Sequence, residues 1–105
     1  MDNFSVIYKI LVALERSMDL PAFDIEELGI EGLKVSHERL NRYFEMLQDA
    51  GLINGADLSV SITGDTFLKN PKRIRITLKG LEYLQENSIM QKMCRAAKGI
   101  TDLIP

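Results

Sequence analysis

Four cations fall within seven consecutive residues of this chain, Lys69-Asn70-Pro71-Lys72-Arg73-Ile74-Arg75. Lys and Arg at that density neutralise phosphates, which supplies the sequence-independent part of nucleic-acid affinity. Phe67 and Leu68 come just before them, and an apolar side chain beside such cations can wedge into a minor groove. A second group, His37, Arg39, Asn41 and Arg42, includes the types that read base edges, Arg against guanine and Asn against adenine. Each group also has a plain account. Arg73 and Arg75 would be the outward residues of a strand, and Lys69 and Lys72 charges that keep a sheet edge from pairing. Arg42 would pair with Glu38 or Glu45 on a solvated helix face.

Other chemistries have little material. His37 and Cys94 are the chain's single histidine and single cysteine and lie far apart in sequence, so no metal-ligand spacing arises. A nucleophile needs a base and an orienting third group, and the glycines are scattered with no phosphate-cradling loop. Neither an enzyme nor a bound cofactor or small-molecule ligand is expected. One cysteine cannot form an internal disulfide and fits a reducing compartment. The apolar run Val6 to Leu14 is interrupted by Lys9 and is too short to span a bilayer. The expected location is the cytoplasm, with no membrane partner.

The elements that must position these residues are legible from periodicity. Phe4, Ile7, Leu11, Leu14 and Met18 recur at helical spacing, with Asp2 or Asn3 as cap and Leu20-Pro21 as the stop. "FDIEELGI" reads as a short helix capped by Asp24 and ended by Gly29. Ser36 opens a long helix to about Ala50, with Leu40, Tyr43, Phe44 and Leu47 on one stripe. The period then changes to two: Leu58, Val60 and Ile62, and later Ile74 and Ile76, alternate with polar residues as half-buried strands do. "GDTFLKNPK" between them reads as a turn or long hairpin loop. Thr77 caps a helix from Leu78 to about Asn87, and Ser88 opens a last one. This order predicts an α+β winged helix-turn-helix domain over residues 1–105, with 88–105 as an added C-terminal helix. The hairpin would be the wing and the long helix would hold the recognition position.

"FDIEELGI", "LQDAGLING", "NPKRIRITLKGLEYLQENSIMQK" and the closing "LIP" resemble the YjcQ-like proteins, small chains of Firmicutes and their phages. The resemblance covers most of the chain. It implies a winged-helix fold, an open role and, in some members, a prophage setting, and it carries over no catalytic or ligand residue. This chain has extra residues around "EGLKV" relative to that pattern.

Charge divides the functional readings. The net charge is -2, but its distribution is uneven: residues 1–35 carry -4, 36–53 carry -1, 54–78 carry +2 and 79–105 carry +1. The exposed line of the long helix would be Glu38, Arg42, Glu45 and Asp49, acidic by two, which phosphates repel. Two functions therefore stand side by side. One is a nucleic-acid-binding or transcription-associated protein that contacts double-stranded DNA, through the wing and through His37, Arg39, Asn41 and Arg42. The other is a protein-interaction module on the same scaffold. The apolar seams of the first and last helices, Phe4, Ile7 and Leu11 with Met90, Met93, Ile100 and Ile104, suit either a homodimer or packing within one chain.

Overall fold

The computed structural model describes residues 2–29 and 33–87. They form three α-helices, short 3-10 turns and two small antiparallel sheets, an α+β arrangement. The expected C-terminal helix, with Met90, Met93, Ile100 and Ile104, lies outside the described residues.

Helix α1 (Asn3–Arg16) begins where Asp2 Oδ1 accepts the Ser5 backbone N–H at 2.8 Å. Its buried side chains are Val6, Tyr8, Ile10, Leu11 and Leu14. The expected seam from Phe4 to Met18 is only partly inward, for Phe4 and Met18 are exposed. The helix gives way to a 3-10 turn at Ser17–Asp19, which carries Met18 off the helical stripe. Asp24 caps a second 3-10 turn, Ile25–Leu28, that Gly29 closes in the left-handed conformation. Helix α2 (His37–Asp49) starts at Ser36, whose Oγ accepts the Arg39 N–H at 3.1 Å. Leu40, Tyr43, Phe44 and Leu47 form its buried face, each such side chain contributing about 1.5–3 kcal/mol when withdrawn from water.

The strands pair differently from the expectation. Strand β1 (Ile53–Asn54) pairs with β4 (Arg75–Ile76), setting Ile53 against Ile76. Strand β2 (Asp57–Val60) pairs with β3 (Thr66–Lys69), which lies inside the stretch read as loop. The hairpin tip is therefore residues 61–65, and Phe67 and Leu68 belong to a strand rather than to the tip. Ser61 N–H donates to the Asp65 carbonyl at 2.8 Å, and Gly64 N–H to the Ser61 carbonyl at 2.9 Å. Such local closure is reason enough for the chain to turn early. Val60 and Ile62, expected inward, are exposed.

Helix α3 (Leu78–Glu86) is joined to β4 by Thr77. Its Oγ1 accepts Gly80 N–H at 3.1 Å and donates to the Gly51 carbonyl at 2.6 Å. Its own N–H donates to the Leu52 carbonyl at 3.0 Å. A Cβ at position 80 would stand 2.3 Å from that Leu52 oxygen, so glycine lets α3 approach the sheet. One core joins the elements, with Val6, Ile10, Leu11, Leu14, Phe44 and Ile74 almost wholly buried.

Candidate nucleic-acid interface

The four cations gather around one open cleft of about 940 Å³, lined by Lys69, Lys72, Arg73 and Arg75. Local backbone explains how. Asn70 adopts a left-handed conformation at φ 57° and Pro71 opens a 3-10 turn through Arg73, as proline favours at a helical first position. The chain bends there and sinks Ile74 to 1% exposure. Lys72, Arg73 and Arg75 consequently surround a buried anchor while each remains exposed. The expected strand Arg73–Ile76 is shortened to Arg75–Ile76, with Arg73 in the turn. The Phe23 N–H reaches the Lys72 carbonyl at 3.4 Å and ties the turn to the segment before the second 3-10 turn.

The facing wall is the connection from β1 to β2. Gly55 has φ 80°, and a Cβ there would sit 2.2 Å from the Arg73 carbonyl oxygen. Only glycine allows the two backbones to lie so close. Gln48, at the end of α2, holds the next residue from both sides. Its Nε2 donates to the Ala56 carbonyl at 2.7 Å and its Oε1 accepts the Ala56 N–H at 2.7 Å. Among the described residues, Asp57 is the only carboxylate lining the cleft. The C-terminal end of α2, where helix carbonyls concentrate partial negative charge, also favours cations on this side.

The other end of α2 has the opposite character. Glu38, Arg42 and Glu45 line a hollow of about 200 Å³ against Gly64, Asp65 and Thr66 of the hairpin. Arg39 and Asn41 are engaged within the chain. Arg39 Nε donates to the Tyr43 hydroxyl at 3.0 Å and its Nη2 to Asn3 Oδ1 at 2.7 Å. The Tyr43 hydroxyl donates to the same Asn3 oxygen, so the three side chains fasten α2 to the start of α1. Asn41 Nδ2 donates to the Thr66 carbonyl at 2.8 Å and fastens α2 to the hairpin. His37 is exposed in the first turn of α2. The structure thus brings together Lys69, Lys72, Arg73 and Arg75, and separates them from His37, Arg39, Asn41 and Arg42.

Of the residues set at a shared interface, Leu11 is buried in this chain's own core, Ile7 is half-buried and Phe4 is exposed. Among the described residues, no three of His, Cys, Asp and Glu converge as a metal site, and no helix is long and apolar enough to cross a membrane. The walls contributed by Gln48 and Gly55 are absent from the reading of the sequence. "NGAD" carried a turn signal for Gly55, while nothing local marked Gln48.

The family model described as YjcQ protein matches residues 8–103, and the chain belongs to that family. No curated protein and no solved structure matches it.

Proposed function

We propose that this member of the YjcQ family is a non-enzymatic DNA-binding protein of winged-helix type that grips phosphates in the basic cleft and does not read bases with α2. The order of 3-10 turn, α2 and β2–β3 hairpin supports the winged-helix assignment. The observation that carries the function is the sorting of charge among the described residues: four cations and one carboxylate around the cleft, against Glu38, Glu45 and Asp65 with Arg42 around the hollow on α2 and the hairpin turn. Phosphates favour the first and are repelled by the second.

Fluorescence anisotropy on mixed-sequence duplex DNA tests it. Four phosphate contacts give a slope of log affinity on log salt of about -3.6, or roughly a hundredfold loss between about 50 and 200 mM salt. Lys72→Ala and Arg73→Ala each make the slope shallower by about 0.9, whereas His37→Ala leaves it unchanged. A slope untouched by the first two substitutions would sink the cleft as the contact surface.

A second reading, a protein-interaction module, is favoured by Val60 and Ile62, large apolar side chains exposed at the end of the hairpin. It requires that duplex DNA not bind even at low salt.

A further inference from the structure

We infer that the cleft takes a single nucleic-acid strand, with an unpaired base stacked on Phe67. This rests on the phosphate-gripping reading of the cleft and adds the kind of nucleic acid that fits it.

The register of the hairpin decides where Phe67 stands. Directly opposed residues of an antiparallel pair project to the same face, and successive pairs alternate between faces. Leu58 opposite Leu68 and Val60 opposite Thr66 share one face, the one on which Leu68 packs against the core. Asp57 opposite Lys69 and Ser59 opposite Phe67 share the other. Asp57 and Lys69 line the cleft. Phe67 therefore lies on the cleft side of the ribbon, two residues from Lys69, or about 7 Å along the strand. It is 43% exposed, so a large part of its surface is open to a ligand.

Proteins that hold single strands combine these two parts, a basic groove for the backbone and an aromatic ring on which a base stacks. A duplex keeps its bases stacked internally and offers Phe67 none. Wedging into a minor groove would need the ring at the hairpin tip, but the tip holds Ile62, Thr63 and Gly64 followed by the carboxylate of Asp65. Position and charge together favour an open strand.

Two labelled strands of about twelve nucleotides, within the usual span of single-strand sites, separate base stacking from phosphate contact. One is oligothymidylate and the other an abasic deoxyribose-phosphate strand of equal length. Oligothymidylate is expected to bind about tenfold or more tightly than the abasic strand and than a duplex of that length. Phe67→Leu should abolish that difference and leave abasic affinity unchanged, while Phe67→Tyr should preserve it. A second measurement needs no variant: a strand carrying 5-iododeoxyuridine, irradiated with the unsubstituted protein, should form an adduct on Phe67. Equal affinity for the two strands, a difference that survives Phe67→Leu, or adducts only at other residues would overturn stacking. In each case salt-dependent binding would leave the phosphate reading standing. Absence of binding by strands and duplex alike at low salt removes both.

Discussion

Replacing Gln48 by Met tests whether the cleft wall depends on one side chain. Methionine fills similar space but offers neither the amide donor nor the amide oxygen. The substitution strands the Ala56 N–H and carbonyl, each now held at 2.7 Å, in a residue that is 5% exposed. A hydrogen bond contributes about 1 kcal/mol net, and a buried group left unpaired costs about 1–3 kcal/mol. Position 48 is itself half-buried, so water can reach part of the gap and the lower end of that range applies. Gln48→Met should therefore destabilise the domain by about 2–3 kcal/mol. For a domain of this length each kcal/mol lowers Tm by roughly 4–8 °C, so a fall of about 10–20 °C is expected. Gln48→Glu retains the acceptor and, at neutral pH, loses the donor, so its loss should lie between wild type and Gln48→Met. Urea unfolding followed by circular dichroism measures all three, with the midpoint moving at constant m. A loss under about 0.5 kcal/mol for Gln48→Met, or equal losses for the two variants, would refute the two-sided clamp.

Three further outcomes follow from the same geometry. Gly55→Ala places a methyl group 2.2 Å from the Arg73 oxygen at a positive φ; thermal melts should show a loss of at least about 2 kcal/mol, and the proposed phosphate contact predicts weaker DNA binding as Arg73 shifts. Thr77→Ala removes both the Gly80 cap and the bond to Gly51, and urea unfolding should register a loss of about 1–2 kcal/mol. Asp2 is held below its ordinary carboxyl value of 3.8, chiefly by the Ser5 backbone N–H that it accepts. Its capping contribution is therefore present above about pH 4 and lost as pH falls through the lower folded value. Urea midpoints of wild type and Asp2→Ala should differ near neutrality and converge once pH has fallen below that lowered value; a gap that persists in acid would contradict a charged cap.

Local signals in the sequence are legible where they act alone. Asp2, Asp24, Ser36 and Thr77 each cap a helical turn, because a short polar side chain satisfies backbone N–H groups a few residues away. The inward stripe of α2 followed from spacing. Pairing between strands did not, because Ile74 and Ile76 alternate as a strand whichever partner they meet; Ile76 pairs with Ile53, and Ile74 lies just outside the strand. Thr66–Lys69 was hidden between Gly64 and Asn70-Pro71, whose turn chemistry outweighed two apolar residues. Clustering of cations was visible as a run in sequence, but its cleft was not, since Gln48 and Gly55 come from elsewhere in the chain. Arg39 and Asn41 looked available for bases because their partners, Asn3 and Thr66, stand 36 and 25 residues away.

The pairing of Ile53 with Ile76 has a consequence for how this domain can be altered. These buried and half-buried residues clasp both ends of one excursion that contains the whole β2–β3 ribbon. Lengthening a closed excursion adds only about 0.6 kcal/mol per doubling, and its turn at 61–65 is largely exposed. The ribbon is thus a graft site: a longer hairpin, a peptide tag or a reporter inserted beyond Thr63 would leave the clasp and the helices in place, as insertions at exposed tips do.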